Sequence, residues 1–389
     1  MPNKFDIDRA LRAKYPSDMA FAPFSTKFVP ENTPLKTPWL EAYFSGKADL
    51  EFLGRLTQND VRALLYSLGA DHSNMIDRYR GALVGVAIGD ALGMPLEGSA
   101  RDSRIVSDYE AGGPFQLDAG RWTDETSMTC CVAYSLLTSS GFDAEHQLLC
   151  LSYWYRYAAY SSVMNQVVDI GSTVKVALDA FVATGKPFTR NTERLSAGNA
   201  SLTRLLPIVL YYFDDFEQCI HYAGQSSLLT HTAAEAVDAC RYFAALLFGA
   251  LKGESKSTLL APYYSPVSGY WQRAPLCPAV DGIARGDYQA SSRARINSSA
   301  YVVHTLEAAL WAFYRTDDFR SGALEAVNLA GDADAVGSVF GQIAGAHYGE
   351  MTIPSRWITW LKDAHGFFHF AQDLLAAANF SQGASVPTK

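Results

Sequence analysis

Glycine recurs at every fourth position in two separate stretches, Gly81, Gly85, Gly89 and Gly93, and Gly337, Gly341, Gly345 and Gly349. A spacing of four keeps each row near one face of an α-helix. Each glycine inside a helix costs about 1 kcal/mol relative to alanine, so two full rows need a compensating contact. The contact that glycine uniquely permits is the close approach of another backbone. The pattern therefore predicts that these two helices touch along their glycine faces. Such a pairing would bring Glu97, just past the first row, towards Asp332 and Asp334 at the start of the second.

From Arg78 onward apolar residues are spaced mostly by three and four. The expected helices are 80–93, 126–138, 146–160, 173–183, 201–212, 233–251, 300–314, 320–329, 335–348 and 367–378. Convincing alternating strands are absent. The expectation is an all-α domain whose function lies on the loops joining helices. The polar, proline-bearing stretch 252–278 reads as a loop or an insertion.

Residues 1–75 differ in kind. Pro16, Pro23, Pro30, Pro34 and Pro38 break any long helix there. Tyr15, Phe21, Phe24 and Phe28 lie between them, and two short helices are expected near 38–44 and at 57–68. The division expected is an N-terminal extension over 1–75 and a catalytic domain over 76–389. The aromatic rings either pack on their own domain or meet a partner.

Of the 389 residues, 49% are hydrophobic and 19% charged, as in a globular chain with a large core. A net charge of −8 speaks against a general nucleic-acid binder. No secretory leader is read at the start. Asp90 interrupts the apolar run around the first glycine row before it reaches membrane-spanning length, so no membrane span is expected. The six cysteines lack zinc or redox spacing, and Cys130 and Cys131 read as buried thiols. A reducing cytoplasm is the simplest setting.

Two acidic clusters each precede an apolar helix: Thr123-Asp124-Glu125-Thr126, and Asp332-Ala333-Asp334. Either cluster alone reads as a helix cap. Together they carry more acid than caps use, and carboxylates brought close repel unless a cation or proton lies between them. Oxygen ligands without His or Cys favour a hard ion such as Mg²⁺ or Mn²⁺.

These residues resemble the ADP-ribosylglycohydrolases, a family that includes dinitrogenase-reductase-activating glycohydrolases and ADP-ribosylarginine and ADP-ribosylserine hydrolases. The resemblance runs from about Arg78 to about Leu375. Gly89-Asp90-Ala91-Leu92-Gly93, with Glu97 beyond it, is similar to the family's opening motif. Thr123-Asp124-Glu125-Thr126 resembles its metal motif, and Asp169-Ile170-Gly171-Ser172-Thr173 its Asp-Ile-Gly-Asn-Thr segment. Gly198-Asn199-Ala200-Ser201, continuing to Arg204 and Pro207, resembles its phosphate loop. Thr230-His231, the segment from Tyr301 to Ala309, and Gly331-Asp332-Ala333-Asp334-Ala335-Val336-Gly337 follow in the family's order.

The resemblance implies an all-α orthogonal bundle holding two Mg²⁺ or Mn²⁺ ions. Thr123, Asp124 and Glu125 would be ligands from one side, Asp332 and Asp334 from the other. Glu97 would lie at the rim as a ligand or acid–base group, and Glu97, Asp124 and Glu125 form the implied catalytic set. Gly198, Asn199, Ala200 and Ser201 would hold the diphosphate of ADP-ribose, with His231 and Tyr301 lining the cleft. Without the family, His231 reads rather as a helix-start residue and Tyr301 as a core aromatic. Ala335 departs from the family's threonine ligand, Ala200 from its glycine, Thr203 from its methionine, and Ser299-Ala300 from the glycine before Tyr301.

The activity implied is metal-dependent removal of ADP-ribose from a modified protein side chain, arginine being favoured. A second implied function is neutralisation of a bacterial ADP-ribosyltransferase toxin, bound through residues 1–75. A metal phosphohydrolase is a third reading; it does not account for the phosphate-loop and ribose-site motifs occurring together.

Overall fold

The structure is a computed structural model and describes residues 71–188 and 197–380. Among these residues there is no β-sheet, only isolated bridge pairs. In chain order the helices are α1 (Asp71–Gly93), α2 (Asp124–Ser139), α3 (Ala144–Tyr157), α4 (Ser172–Thr184), α5 (Ala200–Thr203), α6 (Leu206–Tyr211), α7 (Phe216–Leu228) and α8 (Ala234–Lys252). They continue with α9 (Lys256–Leu259), α10 (Tyr270–Arg273), α11 (Pro278–Arg285), α12 (Val302–Arg315), α13 (Phe319–Val327), α14 (Ala333–Tyr348), α15 (Ser355–Trp360) and α16 (Ala364–Phe380). No helix among them is long and apolar enough to cross a membrane.

The two glycine rows meet. A side-chain carbon added at Gly85 would lie 2.2 Å from the carbonyl oxygen of Gly341, and one at Gly89 would lie 1.9 Å from that of Gly337. Gly81 faces Gly345 and Gly349, and Gly93 faces Ala333. The pairing is antiparallel, backbone on backbone, at a distance no other residue allows. The ends of the seam are pinned by polar bonds. Arg78 Nη1 donates to the carbonyls of Ala250, Ala346 and His347 at 2.8, 2.9 and 2.7 Å, closing the last turns of α8 and α14. Asp77 Oδ1 accepts from the Met351 amide at 3.0 Å.

Helix α14 is buried along nearly its whole length, from Ala333 to Ala346. A helix apolar on every side belongs in the middle of a core, and α1, α8, α12 and α13 pack around it. A smaller core lies between α2, α3 and α4, with Met128, Leu149, Trp154, Leu178 and Phe181 inside it. All six cysteines are unpaired, and Cys130 and Cys131 are buried as expected.

Several expectations need correction. The single helix expected over 201–212 is two, α5 and α6, separated at Arg204 and Leu205. Pro207 has no amide with which to bond the Thr203 carbonyl, and that carbonyl accepts instead from Gln342 Nε2 at 2.7 Å. Helix α7 had no counterpart in the apolar pattern, because its buried face includes Gly224, Ser226 and Ser227. Asp215 starts it, accepting from the Gln218 amide at 3.0 Å. The stretch 252–278 is no dispensable insertion: it carries α9 and α10, and Leu259, Tyr264 and Trp271 are buried. The helix expected over 146–160 stops at Tyr157, where Ala158 turns left-handed with φ 57°. Helix α1 begins at Asp71, inside the stretch assigned to the extension. The short helices expected over 38–44 and 57–68 lie outside the described residues.

Candidate metal centre and active site

The glycine seam delivers the acids. Asp90 stands on α1 between Gly89 and Gly93, and is fully buried. Past Gly93 a short 3-10 turn, Met94–Leu96, swings the chain to Glu97. There Glu97 pairs with Gly331 in an isolated parallel bridge, and the Gly98 amide donates to the Gly331 carbonyl at 2.8 Å. Gly331 has φ 71°, and a side chain on it would strike the Ser298 carbonyl. Backbone pairing therefore fixes the end of α1 to the start of α14.

Neither residue at the N-cap position of these helices, Thr123 or Asp332, caps its helix with its side chain. Thr123 stands before α2, and its side chain makes no capping bond. Asp90 does that work from α1, accepting from the amides of Thr123 and Thr126 at 2.9 and 3.1 Å. Likewise Asp332 makes no side-chain cap on α14, and Glu97 Oε2 accepts from the Ala333 amide at 3.1 Å. Asp334 Oδ1 serves its own first turn, accepting from the Ala335 amide at 2.8 Å, so capping accounts for part of the acid in the clusters and leaves the rest for another use.

Those carboxylates converge. Oxygens of Asp90, Glu125 and Asp334 lie within 4.8 Å of one another, and so do oxygens of Glu97, Asp332 and Asp334. Asp334 belongs to both sets. The Thr123 hydroxyl lies 2.9 Å from Asp90 Oδ1, 2.7 Å from Glu125 Oε2 and 3.4 Å from Asp334 Oδ2. It has one proton to offer three carboxylates. No lysine or arginine among the described residues lies within ion-pair distance of Asp90, Glu97, Glu125, Asp332 or Asp334.

Burial of like charges shows in the proton affinities. Burial raises Asp124 to about 8, with Asp169 adding to it. Burial and then Asp332 raise Glu97 to about 7. Asp90 rises to about 6 through burial, eased by its bonds from Thr126 and Thr123. Glu125 and Asp334 are pushed well above the carboxylate range by burial, then by Asp124 and by Glu97 respectively. Such a donor set fits a hard divalent cation, because all-oxygen ligands without a counter-charge are what Mg²⁺ or Mn²⁺ takes.

The sets differ from those the sequence suggested. Asp124 belongs to neither, although it is buried and adjoins Glu125 in the chain. Asp90, read from the sequence as an interruption of an apolar run and as part of the opening motif but given no role as a ligand, is a member. The available signal was a charge set on the glycine face of a helix otherwise apolar.

The second half of the cleft lies at Gly198. This residue pairs with Tyr301 across an isolated bridge, and the Val302 amide donates to the Ala197 carbonyl at 3.0 Å. His231 packs on it: a side-chain carbon at Gly198 would be 3.2 Å from His231 Nε2. So Gly198, His231 and Tyr301, far apart in sequence, are brought together. Asn199 joins this half to the acids, its Nδ2 donating to Asp332 Oδ2 at 2.8 Å and to Thr305 Oγ1 at 2.9 Å. Sequence reasoning assigned Asn199 to the phosphate loop and missed this link. The Ser201 side chain is committed inward, 2.9 Å from the Ser227 hydroxyl. The helix behind the loop is a single turn, α5, so any anion here meets amides rather than a helix dipole of consequence.

The comparison with known proteins decides the family. A model described as ADP-ribosylglycohydrolase matches residues 71–384. The chain belongs to the ADP-ribosylglycohydrolase family. It is similar to a protein named ADP-ribosylarginine hydrolase Tri1 from Serratia proteamaculans, 37% identical over 306 residues, covering 79% of this chain and 81% of that one. A protein of the same name from Pseudomonas putida is 39% identical over 303 residues, covering 78% and 79%. An ADP-ribosyl-[dinitrogen reductase] glycohydrolase from Rhodospirillum rubrum is 26% identical over 300 residues, covering 73% and 90%. A solved structure titled ADP-ribosylglycohydrolase-related protein complex superposes with a TM-score of 0.69 at 37% identity, over 79% of this chain and 99% of that one. The protein is therefore an ADP-ribosylglycohydrolase, an enzyme of the ADP-ribosylarginine hydrolase-like type with the all-α fold of that family.

Proposed function

We propose that the chain hydrolyses the N-glycosidic bond joining ADP-ribose to an arginine side chain of a modified protein, using Mg²⁺ or Mn²⁺. The observation that carries this reading is the gradient of burial across the two carboxylate sets. Asp90, Glu125 and Asp334 are buried, whereas Glu97 and Asp332 are partly open. The open pair faces the side on which Asn199 ties the acids to the Gly198 loop. A ligand with vicinal ribose hydroxyls at one end and a diphosphate at the other matches that layout.

Asp90, Glu125 and Asp334, with the Thr123 hydroxyl, would hold one ion, and Glu97, Asp332 and Asp334 a second. When bound, such an ion supplies Lewis-acid polarisation and lowers the pKa of a coordinated water. Asn199 keeps Asp332 in place by its hydrogen bond. Hydrolysis adds the oxygen of water to the anomeric carbon and returns a proton to the departing guanidino nitrogen. Glu97, at the rim, would carry that proton. Asp124, buried and next to Glu125 in the chain, would add a further carboxylate beside the ions. The Gly198–Ser201 amides take the diphosphate, and His231 and Tyr301 flank it. The similarity to two proteins named ADP-ribosylarginine hydrolase supports arginine as the acceptor.

The test is direct. Purified protein is incubated with arginine-ADP-ribosylated and serine-ADP-ribosylated substrates, in Mg²⁺ or in chelator. Release from arginine in Mg²⁺ alone is expected; release from serine only, or equal turnover in chelator, would overturn the substrate or the metal respectively.

A second reading concerns residues 1–75, most of which precede the family match. The five prolines from Pro16 to Pro38 and the interleaved aromatic rings offer contact area at modest entropic cost. They would bind an ADP-ribosyltransferase toxin whose product the domain reverses. A chain starting at Asp71 should keep turnover within about twofold and lose affinity for such a transferase. Unchanged affinity would sink this reading.

A further inference from the structure

Arg204 is completely buried, and no carboxylate among the described residues pairs with it. Its Nη1 donates to the Ala200 carbonyl at 3.1 Å. Its Nη2 donates to the Ser226 carbonyl at 3.3 Å and to Thr230 Oγ1 at 2.6 Å. Its Nε is buried with no partner. A cation so placed costs more than an apolar side chain of similar volume. The fold alone gives no reason to keep it.

The reason lies one bond further on. Thr230 is 1% exposed, and its hydroxyl makes two side-chain contacts, with Arg204 and with His231 Nδ1 at 2.7 Å. A guanidinium only donates, so the Thr230 oxygen accepts from Arg204. The single Thr230 proton then has one remaining acceptor, His231 Nδ1. The ring must present a lone pair there, and its own proton is confined to Nε2. Burial, and then the neighbouring Arg204 charge, hold His231 neutral, with its pKa near 3. His231 is 1% exposed, and its Nε2 has no hydrogen-bond partner among the described residues. That nitrogen lies against Gly198, where a side-chain carbon would be 3.2 Å away.

We propose that Arg204 and Thr230 are positioning residues that lock His231 in the Nε2–H form, so that the ring can only donate a hydrogen bond to the ligand beside Gly198. The proposal rests on the reading of that loop as the diphosphate side of an ADP-ribose cleft. A fixed donor suits phosphate or ribose oxygens and repels a group that itself donates. The free Nε2–H is the far end of a chain that starts at a permanently charged group, so the ring cannot flip its tautomer without leaving a buried hydroxyl proton unpaired.

The experiment reads the tautomer and the affinity separately. Long-range ¹H–¹⁵N spectra of the full-length protein, with His231 assigned by its loss in His231→Gln, report which ring nitrogen carries the proton. Calorimetric titration with ADP-ribose reports binding. Wild type should show an unprotonated Nδ1 and a protonated Nε2. Thr230→Val should lose that pattern and weaken ADP-ribose about tenfold, while Thr230→Ser keeps both within about twofold. Arg204→Met should admit the Nδ1–H form; if it does not fold, the Thr230 pair carries the test, since a merely structural threonine would not set the tautomer. A protonated Nδ1 in wild type, or a Thr230→Val variant with unchanged tautomer and affinity, would overturn the proposal. A wild type with the expected tautomer but no affinity for ADP-ribose would overturn the ligand assignment and leave the relay standing.

Discussion

The seam between α1 and α14 and the acid centre at its end are built on opposite terms. In the seam backbone meets backbone, the helices keep their own hydrogen bonds, and the charged groups at its far end, Asp77 and Arg78, bond to backbone. In the centre the carboxylates share one sign, and the Thr123 hydroxyl alone lies among three of them. The seam is complete as folded, whereas the centre would be completed by the cation proposed for it. The contrast implies that substitutions in the seam cost stability, and that substitutions in the centre cost activity while relieving strain.

The largest effect should come from filling the seam. Gly85→Leu or Gly341→Leu places a side chain where a carbonyl oxygen is 2.2 or 1.9 Å away. Overpacking costs about 1–3 kcal/mol even where side chains can yield, and a backbone cannot yield so cheaply. Denaturant unfolding should show a loss of at least about 3 kcal/mol, or no folded protein. A variant melting at or above wild type would remove the basis for the comparison.

Asp334→Asn should move the two quantities in opposite directions. Turnover should fall at least about 100-fold, because the shared carboxylate of both sets is lost. The melting temperature in chelator at pH 8 should match or exceed wild type, since one buried like charge is gone. Near-normal turnover in Mg²⁺ would show that the two sets are not the working site.

The pH dependence sharpens the same point. Asp90, Glu97 and Asp124 have folded values of about 6, 7 and 8, all raised above those of an unfolded chain. A carboxyl raised on folding favours the folded state while protonated. Its contribution is whole below the unfolded value and is lost as pH climbs through the folded one. In chelator the melting temperature should therefore decline between pH 5 and pH 8. In Mg²⁺ the decline should be offset, because a cation binds the ionised carboxylates of the folded state and stabilises it by mass action. Equal slopes in both buffers would mean that the acids do not bind the ion.

The smallest effect expected is that of Ala335→Thr. Ala335 is fully buried in the first turn of α14, next to Asp334. A hydroxyl there would add an oxygen beside a hard cation, and half-saturating Mg²⁺ should fall a few-fold. An unchanged value would show that Ala335 does not limit the site.

How much of this was legible in the sequence depended on what kind of signal each residue leaves. The glycine rows were legible, because a residue that weakens helices gains by recurring every fourth position only where a second backbone comes close. The convergence of Glu97 on Asp332 and Asp334 followed from that pairing. Asp90 was not, because one acid in an apolar helix is ambiguous until its partners, the Thr123 and Thr126 amides, are seen in space. Helix α7 was hidden by the small polar residues of its buried face, and the break between α5 and α6 by the continuous apolar spacing across Pro207. The link from Asn199 to Asp332 joins residues 133 apart, and no local pattern encodes it.

The carboxylate of Glu97 and the amide of Ala333 that it holds are separated by 236 positions. Synthesis must therefore pass Asp334 before both carboxylate sets can be complete. Until then the emerging chain carries Asp90, Glu97 and Glu125 without Asp334, and without the second glycine row that would order α1. Catalysis is thus a property of the nearly finished polypeptide only. Any product truncated before Gly331 should be inert, because it lacks Asp332 and Asp334 and the glycine face that α1 packs against.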